Sequence, residues 1–316
     1  MQPEIRIRKK MKIKAIIPEY LKYIQVIGRS HYTIRGARFI LLRFVRYLEK
    51  ERIYNIEDLT FEVIEDYQQE LAFSLTAKGT PLSVSTQVKQ LNTVTLLTRY
   101  LKEKDYLVND PGKKIKLPRE PKRLPKSILS QLEIKHLMNA QDMQSNNGYR
   151  DRIMLEILYD TAIRRSELSN IKIHDLELNG GFVKVLGKGD KERVVPLSKG
   201  VCELIQNYIR FIRPALVTGT DHGYLLVNDK GGRIRTHTIW KNIKHCARLA
   251  NLKKNITTHT FRHTCATHML KNGAPIRHLQ EMLGHASLES TQIYTHVTIN
   301  DLKEIHAKYH PGANKE

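Results

Sequence analysis

The stretch HTFRHTCATHML at residues 259–270 contains neither proline nor glycine and reads as one helix. His259 and Arg262 are three residues apart in it, so they share a face. His259 and His263 have the i, i+4 spacing of a zinc-binding helix. The second position is Thr260 rather than Glu, so the general base of such a site is missing and no metal is assigned there. Working downstream, Pro275 stands where a first helical turn accepts proline, and residues 276–283 continue that helix. Gly284 is placed to end it in the left-handed conformation and to aim His285 out of the terminus. A further short helix over residues 290–297 would carry Tyr294.

Beyond Tyr294, Asn300 or Asp301 can cap a last helix, with Leu302, Ile305, His306 and Tyr309 on one stripe, and Pro311 and Gly312 end it. A helix this short is marginal alone, so its stripe must dock. Docking into a neighbouring copy of the chain is expected over docking on its own domain, which makes the tail an assembly element.

Upstream, residues 152–159 form an apolar helix, followed by TAIRRSEL at 161–168, where Thr161 offers a cap and Arg164 and Arg165 add charge. Residues 181–186 (GFVKVL) and 194–197 (VVPL) read as strands. The glycine-rich GKGDKER between them makes a hairpin with Lys188 and Lys191 near its tip. Helices resume at 200–212 and 236–250. The first half is helical throughout, with apolar stripes from Ile13 to Ile24, Ile34 to Leu48, Ile56 to Leu75 and Val88 to Leu101. Four short helices are expected there, the second capped by Ser30 or Thr33.

Between the halves lies NDPGKKIKLPREPKRLPKS, residues 109–127. Its four prolines exclude a continuous helix, and its seven basic residues are Lys113, Lys114, Lys116, Arg119, Lys122, Arg123 and Lys126. This is read as a basic linker between domains at 1–108 and 128–316, suited to a duplex because each cation can neutralise a phosphate. The 316 residues carry 53 Lys and Arg against 32 Asp and Glu, a net charge of +21 that calls for a polyanionic partner. Three scattered cysteines make no disulfide framework, and no apolar run is long enough to span a bilayer, so a cytoplasmic protein is expected. The N-terminus lacks the apolar core of a secretory signal.

The chemistry offered is two arginines, a lysine, two histidines and a tyrosine. They have no accompanying carboxylate cluster, so metal-assisted hydrolysis is disfavoured. No GxxxxGK[ST] loop marks an ATP site. Guanidinium forks suit phosphate oxygens, and a tyrosine attacking a phosphodiester would keep the bond energy in a covalent phosphotyrosine. Each element alone has a plainer reading: a turn for GKG, a core residue for Tyr294, an ion pair with Glu167 for Arg164.

Taken in order, they resemble the tyrosine recombinases of the phage-integrase family, nearest the Xer type. TAIRRSEL resembles TGLRxSEL, with Ala162 in place of the usual glycine. VLGKGDKERVVPL at 185–197 resembles the family's hairpin motif. HTFRHTCATHML resembles HxLRHxxATHLL, with Phe261 for the usual leucine, and MLGHASLESTQIYTHV at 282–297 resembles LGHxxxxxTQxYTHV.

The resemblance implies a mainly α fold with a small antiparallel sheet. An all-α, SAM-like core-binding domain and a mixed catalytic domain would form a C-shaped clamp on DNA. It implies catalysis by Arg164, Lys188, His259, Arg262, His285 and the nucleophile Tyr294, with Glu167 and His263 in support, and no metal or nucleotide cofactor. It also implies four protomers, of one kind or with a related recombinase, acting on two duplexes with inverted-repeat sites. A catalytically silent DNA-binding protein and a type IB topoisomerase are the alternatives.

Overall fold

A computed structural model describes residues 11–119, 128–187, 192–228, 230–284 and 299–312, except for the side chains of 276 and 299–303. The chain divides into two compact units, Met1–Lys122 and Arg123–Glu316.

The first unit is built from α1 (Ile13–Val26), α2 (His31–Lys50), α3 (Phe61–Phe73) and α4 (Val84–Glu103). Hydroxyl caps start three of them. Ser30, Thr60 and Ser83 accept the backbone N–H of Thr33, Val63 and Thr86, each satisfying a donor that the first turn leaves unpaired. Leu41, Phe44, Leu48, Ile64, Leu71, Leu91 and Leu97 interlock as a buried core. Two expectations change. The third helix begins at Phe61 because residues 56–58 form a separate 3₁₀ turn ahead of the Thr60 cap. And α2 and α4 run to 20 residues each, so they are not short.

The front of the proline-rich segment packs as part of this unit. Asp110 Oδ1 accepts hydrogen bonds from Thr98 Oγ1 at 2.7 Å and from the Gly112 N–H at 2.9 Å. Ile115 joins the apolar core, and Gln68 Nε2 donates to the Lys116 carbonyl at 3.0 Å. Residues 110–116 therefore do not behave as free linker. Lys113, Lys114, Lys116 and Arg119 project from this surface as exposed cations.

The second unit holds α5 (Gln131–Asn139), α6 (Asn146–Thr161), α7 (Arg165–Asn170), α8 (Lys199–Asn207), α9 (Arg213–Leu216), α10 (Thr236–Leu249), α11 (Thr258–Lys271), α12 (Ile276–Leu283) and α13 (Ile299–Tyr309). Its three-stranded antiparallel sheet comprises β1 (Leu176–Glu177), β2 (Phe182–Leu186) and β3 (Glu192–Pro196), in the order β1-β2-β3. The register sets Val183 opposite Val195 and Val185 opposite Arg193. Helix α6 is buried nearly all round and forms the centre of the core, with Met154, Leu155 and Leu158 fully enclosed.

Several local readings are corrected. The short β1 pairs with β2 and was not anticipated. The helix expected over 200–212 gives way after Asn207 to a π turn, Tyr208–Ile212, before α9. Thr161 does not cap a new helix: it is the last residue of α6, and α7 starts after Arg164, whose backbone N–H donates to Glu167 Oε2. Pro275 precedes α12 as its cap residue rather than lying in its first turn.

The break between α6 and α7 is made by Ala162, which turns left-handed at φ 51° while fully buried. Glycine there would relieve about 1–2 kcal/mol of backbone cost. It would also lose about 0.8 kcal/mol of buried methyl and add about 0.4–1 kcal/mol of unfolded-state entropy. These effects nearly cancel, which explains how alanine stands where related motifs carry glycine. Ala162→Gly is expected to change stability by less than about 1 kcal/mol, whereas Ala162→Val, β-branched at positive φ, should cost more than about 2 kcal/mol. Urea denaturation of the two variants checks this.

The C-terminal helix has a definite seat within the single chain. In the single chain α13 docks on its own domain, against α11, α12 and β3. Ile305 and Tyr309 pack on the main core, His306 and His310 are buried, and Asn272 Nδ2 donates to the Tyr309 carbonyl at 2.8 Å. Ile305 and Tyr309 keep part of their surface exposed in this arrangement. Helix α13 also begins at Ile299, which puts Asn300 and Asp301 inside it rather than at its cap.

Candidate active site

Three elements converge on the end of α12. Its last turn presents carbonyls that have no partner within the helix, and Gly284 turns away at φ 63°. Three arginines meet those carbonyls. Arg193 Nε donates to Met282 O at 3.2 Å, Arg262 Nη2 to Leu283 O, and Arg164 Nη2 to Gly284 O at 3.0 Å. The negative end of a helix is a favourable place for guanidinium charge. A Cβ added to Gly284 would lie 3.1–3.2 Å from the Arg193 guanidine and require strained backbone, so glycine suits the position on both counts.

Arg262 comes from the buried side of α11 and reaches across to the break after α6, where Nη1 donates to the Ala162 carbonyl at 3.0 Å. The left-handed turn of Ala162 thus helps to orient a candidate catalytic arginine. Burial, followed by the charge of Arg164, lowers the Arg262 pKa to about 10, which still leaves it a full cation at neutral pH. Arg164 keeps 33% of its side chain exposed, so its guanidinium can meet a ligand from solvent.

Glu167 binds two of the arginines together. Oε1 accepts from Arg164 Nη1 at 2.9 Å and from Arg193 Nη1 at 2.9 Å, and Oε2 accepts from Arg193 Nη2 at 2.8 Å and from the Arg164 backbone N–H at 2.7 Å. Burial alone would raise its pKa. The hydrogen bonds from Arg193 and Arg164 outweigh it and hold the carboxyl at about 2. Glu167 was expected as support. Arg193 was not, although an inward strand position carried the signal: it faces buried Val185 across the sheet and lies two residues from buried Val195.

His259 lies in the first turn of α11, where Thr257 caps the helix by accepting the Thr260 N–H at 3.2 Å. Desolvation, then the positive fields of His263, Arg262, Arg165 and Arg164, push its pKa below the ordinary histidine value. The ring is therefore neutral at pH 7 and can take up a proton. His263 is exposed on the same helix. Arg164, His259 and Arg262 are thus brought together, with Glu167 beneath Arg164. Lys188, Lys191, His285 and Tyr294, and in the basic segment Lys122, Arg123 and Lys126, lie outside the described residues, as does the helix expected over 290–297.

Clustered guanidinium groups beside a neutral imidazole can bind a phosphodiester and stabilise extra charge on it. The comparisons agree with such chemistry. Residues 127–301 match the phage integrase family. Tyrosine recombinase XerD from Staphylococcus haemolyticus is 38% identical over 302 residues, covering 95% of this chain and 100% of that protein. Tyrosine recombinase XerD from Staphylococcus aureus strain N315 is also 38% identical over the same span. The chain belongs to the phage integrase family of tyrosine recombinases.

The fold extends to solved structures of low identity. XerH site-specific recombinase bound to difH substrate in a pre-cleavage complex has a TM-score of 0.66 at 22% identity, covering 92% of this chain and 83% of that one. A lambda integrase tetramer bound to a Holliday junction has a TM-score of 0.69 at 14% identity, covering 93% and 84%.

Proposed function

We propose that this chain is a site-specific DNA recombinase that cleaves and rejoins strands through a 3′-phosphotyrosyl intermediate. The observation that carries the reading is the pairing of Arg164 and Arg262 on adjacent carbonyls of one helix end, with His259 in the first turn of the same helix as Arg262. In the proposed reaction Tyr294 Oη attacks the scissile phosphorus, and the bond to the 5′-oxygen breaks. Lys188 gives that oxygen its proton, while His259 accepts the tyrosine proton. Arg164 and Arg262 balance charge on the pentacoordinate phosphorane, with His285 on a non-bridging oxygen. Rejoining is the reverse, with a 5′-hydroxyl of the partner strand as nucleophile. No step consumes a high-energy cofactor, because the phosphotyrosine conserves the bond energy.

The partner proposed is double-stranded DNA carrying inverted-repeat sites, acted on by four protomers across two duplexes, either all alike or shared with a related recombinase. The net charge of +21 supports a DNA partner. The proposed division of labour gives DNA binding to the helical domain at 1–108 and the basic segment 109–127, and strand cleavage to residues 128–316. A cytoplasmic, nucleoid-associated location follows from a DNA substrate; among the described residues no helix is long and apolar enough to cross a membrane.

The deciding experiment uses a nicked duplex that traps the covalent intermediate. The wild-type chain, without nucleotide and in EDTA, is expected to give a protein–DNA adduct stable to denaturing electrophoresis, on duplexes of one sequence class. Relaxation of any supercoiled plasmid at random positions would instead favour a topoisomerase, and no adduct on any duplex would favour a silent DNA-binding protein.

Lys113, Lys114 and Lys116 are proposed to contact phosphates, with Arg119, Lys122, Arg123 and Lys191 adding to the basic surface. Replacing the three lysines by alanine should weaken DNA binding about tenfold and reduce the slope of log K against log salt by about 3. Fluorescence anisotropy over a salt series measures both.

A further inference from the structure

Helix α6 and the C-terminal helix enclose a polar cluster that the proposed strand cleavage does not use. Asp160, one residue before the end of α6, faces His306 and His310, four residues apart on α13 and its immediate exit. All three side chains are at most 3% exposed. Asp160 Oδ2 accepts the Ser198 backbone N–H at 2.8 Å. Its other oxygen, Oδ1, is buried and accepts no hydrogen bond among the described residues. That oxygen lies 3.3 Å from His306 Nε2 and 3.4 Å from His310 Nδ1, and the three donor atoms fall within 4.8 Å of one another.

We propose that Asp160, His306 and His310 form a binding site for a divalent transition metal of the zinc class, which fastens the C-terminal helix to its own domain. The donor set is two imidazoles and a carboxylate, the hardness zinc accepts. Zinc bonds of about 2.0–2.2 Å at a tetrahedral angle place neighbouring ligand atoms about 3.3–3.5 Å apart. The two contacts to Asp160 Oδ1 already have that separation. The i, i+4 spacing puts both imidazoles on one helix face. His310 Nε2 lies 3.1 Å from the Tyr159 carbonyl, so its N–H points there and leaves the lone pair on Nδ1, the nitrogen that faces Asp160.

Binding requires modest changes. His310 Nδ1 gives up the Gly312 N–H now 3.0 Å away, and His306 Nε2 gives up the Asp160 carbonyl at 2.9 Å. The two rings are stacked 7° from parallel, so one of them turns to bring its lone pair onto the ion. Asp160, Ser198, His310 and Gly312 also line an open cleft, which supplies an entry path and a water as fourth ligand. The site is separate from the phosphate-directed arginines, and its existence does not depend on the recombinase reading. Its position still matters, because Asp160 lies two residues before Ala162, whose carbonyl holds Arg262.

The test is zinc titration of the full-length chain, stripped with EDTA and dialysed, against a chromophoric zinc indicator at pH 7.5. The wild type is expected to take one zinc per chain with a Kd near or below about 1 µM, and to gain thermal stability with zinc but not with magnesium. Asp160→Asn and the double variant His306→Gln/His310→Gln should each bind at least about 100-fold more weakly and lose the zinc-dependent rise in Tm. Equal zinc affinity in wild type and variants would place the metal on others of the 14 histidines and overturn the proposal, as would no binding by wild type. X-ray absorption at the zinc edge of wild type keeps the test decisive even where a variant fails to fold. Two imidazoles and an oxygen at about 2.0–2.2 Å support the site, whereas sulfur or a single imidazole in the shell refutes it.

Discussion

Phenylalanine at position 294 is expected to leave DNA binding intact and to remove covalent capture of a nicked duplex, lowering cleavage by about 10⁴-fold or more. The substitution deletes one hydroxyl oxygen and keeps the ring, so side-chain shape and charge hardly change. The arginines that would hold the phosphate come from α11 and from the junction before α7, and among the described residues they are held by the Gly284, Leu283 and Ala162 carbonyls and by Glu167. Band shift and adduct formation, measured on the same duplex, separate the two roles. Wild-type cleavage should also persist in EDTA, since every group proposed to move a proton or balance charge is a side chain. An adduct formed by the phenylalanine variant would show that another residue is the nucleophile. Abolition of cleavage by EDTA in the wild type and equally in His306→Gln/His310→Gln, which lacks the proposed zinc ligands, would show that a metal takes part in the reaction.

The helices were legible because their apolar residues recur at helical spacing and because hydroxyl residues stand where the caps were needed. The misjudged boundaries have local causes. Thr60 restarts the chain after a 3₁₀ turn whose apolar Ile56 continues the stripe, so periodicity alone runs straight through it. Thr161 resembles a cap, yet its hydroxyl bonds back to the Ile157 carbonyl within its own helix. The turn falls instead on Ala162, a residue with no conformational signature for positive φ.

Within the site, Arg164, His259 and Arg262 were readable as spaced motifs. Arg193 was not, because it was counted with the charges of a hairpin tip, whereas the two-residue period of β3 turns it inward. The docking of α13 was hidden for a different reason. Asp160 and His306 are 146 residues apart, and no spacing rule reports a contact that only the folded chain creates.

Glu167 carries the second large effect, because one buried carboxylate holds two arginines and a backbone N–H. Glu167→Ala leaves Arg193 and Arg164 without their shared partner, close to a third cation, Arg262. Among the described residues, Arg164 then keeps only the Gly284 carbonyl to orient it. Misplacing a phosphate-binding arginine should lower cleavage by about 10²-fold, with a smaller loss in DNA affinity. Glu167→Gln keeps the shape but removes the charge, and its stability cost carries a pH signature.

The folded pKa of Glu167, about 2, lies below its ordinary 4.5, so the ionised carboxylate favours the folded state. That contribution is fully present above pH 4.5 and fades as pH falls toward 2. The wild type should therefore exceed Glu167→Gln by on the order of 3 kcal/mol near neutrality, and the gap should close steadily on acidification below pH 4.5. Urea denaturation of both proteins from pH 7 to pH 3 measures the gap. A difference that stays constant across that range would mean that Glu167 acts through packing and not through its charge, and the proposed anchoring of Arg164 would lose its electrostatic basis.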